Sequence, residues 1–154
     1  MTDATNDLVL SRVLDAPRDK LWRCWVEPEL LKQWFCPKPW YVSEARIDLR
    51  SGGEFFTLMN GPDGERFGEP GVFLEVVEKE RLVFTDAFRP GWRPSGRAFM
   101  AAEGLFDDAG AGKTRYTARA MHWSAEARTE HEEMGFHEGW GKAADQLEAL
   151  AKTI

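Results

Sequence analysis

The chain has 154 residues, 43% hydrophobic and 30% charged, with a formal net charge of −6. This length and composition suit one folded domain spanning 1–154 and exclude a disordered chain. The acidic balance argues against nucleic-acid binding and against docking on an anionic membrane, and no apolar run approaches the ~18 residues of a membrane span.

Residues 1–7 are polar, and 8–14 (LVLSRVL) form the first strand candidate. Asp15-Ala16-Pro17 ends that strand, and Pro17 suits the first position of a helix, where a missing N–H loses nothing. A short helix is expected over 18–25, with Leu21, Trp22 and Trp25 on one face, until Glu27-Pro28 breaks it. A second over 29–35 groups Leu30, Leu31 and Trp34, and Cys36-Pro37-Lys38-Pro39 stops it. Strand signals then dominate. Residues 41–49 alternate, with Val42, Ala45, Ile47 and Leu49 among polar neighbours. Ser51-Gly52-Gly53 is a turn, 54–60 a strand, and Gly61-Pro62-Asp63-Gly64 a strong turn signal. Strands over 68–78 and 81–88 are joined closely enough by Lys79-Glu80 for a hairpin. An irregular loop over 89–96 follows. The last strands, 97–106 and 114–123, flank a Gly- and Asp-rich link over 107–113.

From Ser124 to the end the pattern is that of one long helix. Phe136, Trp140, Ala143, Leu147, Leu150 and Ile154 alternate spacings of four and three, a single apolar stripe at 3.6 residues per turn. Hairpin-linked strands make an antiparallel sheet, and helices grouped on one side of it make an α+β fold.

The order of motifs resembles a known family. Arg12 through Pro17 leads into Leu21-Trp22, Trp25, Pro28-Glu29 and Trp34-Phe35. Asp48-Leu49-Arg50-Ser51-Gly52-Gly53-Glu54-Phe55 follows, then Gly71 to Val76 and Glu80 to Thr85, and finally Met134-Gly135-Phe136 with Gly139-Trp140. Over about residues 8–152 this is similar to the C-terminal domain of the activator of the heat-shock protein 90 ATPase, within the START-like, polyketide-cyclase superfamily (SRPBCC). The resemblance implies a helix-grip fold: a curved antiparallel sheet of six or seven strands gripping a long C-terminal helix. Two short helices would follow strand 1, and a cavity would lie between sheet and helix.

Seven Trp and ten Phe supply large rings for such an interior. Alternation combined with the superfamily geometry marks Trp34, Phe35, Trp40, Phe56, Leu58, Phe73, Phe84, Phe88, Phe99, Trp123, Phe136 and Trp140 as cavity candidates. His122 joins them as a polar member at a strand end. Glu75, Asp86, Arg97, Glu103 and Arg119 are polar candidates if they face inward. Gly135, Gly139 and Gly141 lie inside the predicted helix, where each costs ~1 kcal/mol relative to Ala. Close packing, a kink near Gly135 or room for a ligand would each account for them. The stretch HEEMGFHE reads as a solvated charged face, because His131 and His137 are six apart and share no helical face. The 89–96 loop reads as a rigid hairpin loop or, with Trp92 at its tip, as a lid.

No catalytic signature, metal-ligand spacing or cofactor motif is present: there is no GxSxG, Walker loop, GxGxxG or DxDxDG. Cys24 and Cys36 lie outside any CxxC and are expected as reduced thiols of a cytoplasmic protein, with no secretory signal at the start. The function expected first is binding of a small hydrophobic molecule. An enzyme of the cyclase or dehydratase kind, using His122 or Glu103, is one alternative, and a chaperone co-factor or interaction module is another. A homodimer is left open.

Overall fold

The computed structural model describes residues 6–68, 70–96 and 98–154. Strand β1 (Asp7–Leu14) leads to helices α1 (Arg18–Val26) and α2 (Pro28–Leu31). Then follow β2 (Tyr41–Ile47), β3 (Glu54–Asn60), β4 (Arg66–Phe67), β5 (Gly71–Val77), β6 (Arg81–Thr85), β7 (Phe88–Arg89) and β8 (Arg93–Pro94). The chain ends with β9 (Ala101–Gly110), β10 (Lys113–Met121), α3 (Ala125–Glu133) and α4 (Phe136–Ala151). One curled antiparallel sheet runs in the order β1-β10-β9-β6-β5-β3-β2, with β4 paired to β3 off that path. The α+β helix-grip expectation holds.

Residue parity sorts the sheet into two faces. Leu8, Leu14, Phe55, Phe73, Leu82, Phe84, Ala102, Phe106, Tyr116, Ala118 and Ala120 are buried on the concave side. Across them lies α4, with Phe136, Ala143, Ala144, Leu147 and Ala151 buried. The centre of the core is Trp25. Its ring lies 5.1 Å from Trp34, 5.6 Å from Phe35 and 5.8 Å from Phe84, mostly in edge or tilted contacts. The Trp34 indole donates to the Cys24 carbonyl at 2.9 Å, tying the α2–β2 link back to α1.

Several boundaries differ from the sequence reading. Pro17 caps α1 from outside the helix, and its carbonyl accepts from Lys20 and Leu21. The proline at a first helical position is instead Pro28. The second helix stops at Leu31, and residues 32–34 form turns. The strand expected over 68–78 begins only at Gly71, as β5, because Pro70 just before it lacks a ladder N–H, and the two-residue β4 (Arg66–Phe67) lies ahead of the expected range. Arg97, the expected start of the next strand, lies outside the described residues, and β9 begins at Ala101. At its other end β9 runs through the expected link to Gly110. There Asp107 faces Arg115, an opposite-charge pair across the strands, and left-handed Gly110, Ala111 and Gly112 close a tight turn.

The largest difference is at the C-terminus. The single helix expected from Ser124 onward is two helices. Ser124 caps α3, its side chain accepting from the Ala127 N–H at 3.1 Å. Gly135 then takes φ +98° and starts α4 in a new direction. The apolar stripe belongs to α4 alone. In α3 only His131 is buried, so a straight extension of α4 would project a polar helix away from the sheet. The elbow at Gly135 brings it back.

Candidate functional site

Strand β10 alternates strictly: Thr114, Tyr116, Ala118 and Ala120 are buried on the concave side. His122 is the next residue in that series. It leaves the ladder one position beyond Met121 yet keeps the inward direction, and it is 8% exposed. On α3, His131 lies in the last turn before the elbow and is 7% exposed. The two imidazoles meet, with His122 Nε2 2.9 Å from His131 Nδ1. The other nitrogen of His122, Nδ1, is 2.8 Å from the Asn6 carbonyl, which also accepts the His122 backbone N–H.

The pair sits in an aromatic box. The His131 ring centre is 4.9 Å from Phe99, 5.4 Å from Phe136 and 5.9 Å from Trp140, and Phe136 and Trp140 lie 4.5 Å apart. Leu8, Ala120 and Met100 complete this second apolar cluster. Burial, with the adjacent His122, pushes His131 down to about 4. It is therefore neutral at physiological pH. The Nε2 atom of His131 makes no hydrogen bond with a described residue. Asp86 holds the box from outside, its carboxylate accepting from the Phe99 and Met100 backbone N–H groups.

The structure divides the sequence-derived candidates. Phe99, His122, Phe136 and Trp140 come together at the histidine pair. Trp34, Phe35, Phe73 and Phe84 belong to the Trp25 core at the other end of the concave face, and Met100 and Trp140 touch both clusters. Phe56 and Leu58 were expected inside but have the opposite parity to Phe55. They face the convex side, where the Arg46 guanidinium lies 4.0 Å over the Phe56 ring. Trp123 is also a correction: the residue after inward His122 points outward and is 58% exposed. Phe88 packs edge-on to Trp92, 5.7 Å away, and Trp40 stacks on Phe67. The 89–96 segment is a small hairpin of β7 and β8, with Trp92 resting on the backbone of Gly52. A Cβ at Gly52 would meet the indole at 3.0 Å.

Glu75, Glu103 and Arg119 also face the convex side. There Arg81 bridges Glu75 and Glu103, and Arg119 bridges Glu103 and Asp7. Glu103 is a structural carboxylate held between two guanidiniums and is removed from the interior. His131 was read as part of a solvated face, and that holds only for its neighbours. Glu130, Glu133, His137 and Glu138 are exposed, with His137 on Glu132 at 3.2 Å. The signal that could have separated His131 is that it stands five residues before Phe136, across a glycine that permits a sharp turn. Among the described residues, no group of three or more His, Cys, Asp or Glu side chains is placed to hold a metal ion.

The helical glycines have separate reasons. Gly135 forms the elbow. A Cβ at Gly139 would meet Pro37 only at an ordinary 3.8 Å, so close packing does not require glycine there, whereas a Cβ at Gly141 would stand 2.5 Å from an Arg12 nitrogen. That arginine, inward on β1, donates to the Gly141 carbonyl at 3.1 Å and pairs with Asp145 at 2.7 Å.

Two concavities open to solvent stand out, both outside the sheet–helix interior. One, of about 480 Å³, is lined by Lys32, Gln33, Cys36, Lys38, Pro39, Trp40 and Tyr41; the other lies along the outer side of α3. The Cys36 thiol is pushed up to about 11 by burial and the Cys24 thiol likewise, so both are protonated and unreactive at neutral pH. Among the described residues no helix is long and apolar enough to cross a membrane.

A curled sheet closed by a C-terminal helix, with an aromatic interior, defines a START-like helix-grip protein. The chain belongs to the Activator of Hsp90 ATPase homolog 1-like protein family, whose model matches residues 15–152. Among solved structures it is similar to a Nitrosomonas europaea protein at 49% identity and TM-score 0.94, covering 99% of this chain and 97% of that one. A Mycobacterium smegmatis protein is 27% identical with TM-score 0.79, over 97% and 95% of the two chains. An AHSA1-like protein from Aeromonas hydrophila, 18% identical with TM-score 0.68 over 95% and 93%, shares the fold. No curated protein matches the chain.

Proposed function

We infer that this protein binds a small, largely apolar molecule between the sheet and the N-terminal half of α4, against Phe99, Phe136 and Trp140. The observation that carries this reading is the way α3 is held. Its one buried residue is His131, and that residue is docked in the aromatic box. Arg128 adds a hydrogen bond to the Asp7 carbonyl at 3.2 Å. A helix retained by so little opens at low free-energy cost compared with the core. The two concavities described above lie outside the interior, and outward movement of α3 about the Gly135 elbow would give a ligand its route in. The START-like fold, which commonly binds hydrophobic ligands, supports the same reading. Trp34, Phe35, Phe73 and Phe84 then form the floor of the interior rather than contacts to the ligand.

A cyclase- or dehydratase-like enzyme would draw on the same histidine pair. An imidazole held near 4 is a weak base at neutral pH, and Brønsted behaviour makes it a poor proton acceptor for chemistry. His131 therefore suits recognition better than proton abstraction.

The experiment is a thermal-shift screen of apolar and aromatic metabolites on the purified protein, followed by mapping of amide shifts by NMR. Binding to the native state raises the midpoint. The expected shifts lie on α3, residues 99–100 and the first turns of α4. Ligands that stabilise the protein while shifting only the 32–41 groove would overturn this placement.

A further inference from the structure

The chain between α2 and β2 is irregular, yet two side chains of α4 hold its backbone. Gln146 Nε2 donates to the Trp34 and Cys36 carbonyls at 3.0 and 2.9 Å, and Gln146 Oε1 accepts the Lys38 N–H at 3.0 Å. Lys142 donates to the Lys38 carbonyl at 2.8 Å. One glutamine thus satisfies three main-chain groups of a loop that has no ladder to satisfy them. The loop's shape is fixed before anything binds to it, which lowers the ordering cost of binding.

This loop supplies most of the wall of the groove of about 480 Å³, a volume within the range of small-molecule sites. Cys36, Pro39, Trp40 and Tyr41 give the groove apolar and aromatic surface, and Lys32 and Lys38 give it cations; no carboxylate lines it. Trp40 is braced by Phe67, stacked on it at 5.9 Å, and Tyr41 is exposed. Lys32 is shared with Glu29 at 3.1 Å. Lys38 is exposed and, among the described residues, forms no ion pair. Glu65, which neighbours Gly61 as Trp40 does, accepts the Asp63 N–H at 2.9 Å and lies outside the lining. In a chain of net charge −6, this groove therefore keeps one uncompensated ammonium beside aromatic surface. A monoanion on a flat apolar body matches both features. A dianion would bring a second charge with no free partner.

We propose that the 32–41 groove is a second ligand site, separate from the histidine box, for a small aromatic carboxylate, with the carboxylate paired to Lys38 and the ring against Trp40 and Tyr41. It does not depend on the interior reading.

The probes are 2-naphthoate and its neutral counterpart 2-naphthamide, titrated by calorimetry and mapped by amide and indole NMR at about pH 7.5. Naphthoate is expected to bind about fivefold tighter than the amide at low salt, as one solvent-accessible ion pair allows, and to lose that advantage at about 1 M NaCl. Its shifts should lie on residues 32–41, including the Trp40 indole N–H. Lys38→Gln should erase the preference and Lys38→Arg should keep it. Both variants leave the main-chain bonds to Gln146 and Lys142 in place, and melting midpoints confirm that they fold. If Lys38→Gln does not fold, the salt dependence and shift map of the native protein decide. Equal binding of the two probes at low salt, naphthoate shifts confined to α3 and residues 99–100, or no naphthoate binding at about 2 mM each overturns the proposal. The interior reading is judged separately by the neutral probe: naphthamide shifts on α3 and residues 99–100 support it whatever naphthoate does.

Discussion

The two ends of the concave face are built of different material. At one end, Trp25 is ringed by Trp34, Phe35, Phe55 and Phe84, on elements held by a continuous strand ladder and by α1. At the other, a similar set of rings encloses two histidines, and the covering element is a nine-residue helix with a single buried side chain. The first end carries stability. The second trades apolar contact for a polar pair and hangs it on an elbow. The difference shows where this fold spends its packing and where it keeps the capacity to open.

Substitutions on the two sides should separate these roles. Trp25→Ala removes the central ring of the core and is expected to cost about 3–5 kcal/mol, read from denaturant unfolding with an unchanged m-value. A loss under about 1 kcal/mol would mean that the core is not organised around this residue.

Acid should act at the other end. Burial and His122 push His131 down to about 4, whereas a free histidine titrates near ~6.5. The unfolded chain therefore takes up the proton first as pH falls. Stability present above ~6.5 is lost progressively toward pH 4, with an upper bound of about 3 kcal/mol. Chemical denaturation between pH 7 and pH 4 measures it, and His131→Phe should flatten that part of the profile. An unaltered slope in the variant would assign the acid sensitivity elsewhere.

Gly135→Ala places a Cβ at φ +98°. A cost of about 1–2 kcal/mol is expected, accompanied by faster amide exchange in α3 than in α4. Uniform exchange across both helices would argue against an independent elbow. The smallest effect belongs to Trp123→Ala. This ring was expected inside but is exposed, and its removal should change stability by no more than about 0.5 kcal/mol, checked by thermal melting. A larger loss would return it to the interior.

Much of the frame was legible from local pattern. Strand β3 coincides with the predicted 54–60, β1 and α1 match within a residue, and the α4 stripe from Phe136 onward lies on the sheet. These succeed because period and punctuation are local properties. Facing was less legible. Phe55 and Phe56 are adjacent apolar rings on opposite faces, and only sheet pairing says which is inward. A bulge between Phe73 and Glu75 shifts the parity of β5 in the same hidden way. His122 was readable from the β10 alternation. His131 was not, because it sits among exposed glutamates and its partner is nine residues away across a turn.

The amino-acid pattern alone determined the α+β class, much of the hairpin order, the supply of aromatic rings and the apolar stripe of the last helix, since each follows from composition or from the spacing of neighbours along the chain, while the helix-grip assignment came from the resemblance to a known family. Only the tertiary structure decided that this helix breaks at Gly135, that Glu103 is locked between arginines on the convex side, and that two histidines meet at 2.9 Å among aromatic rings. The reason is physical: burial and hydrogen-bond partnership are set by what the folded chain brings from elsewhere, and a single glycine with positive φ is enough to redirect a helix and bury a residue that its neighbours would leave in water.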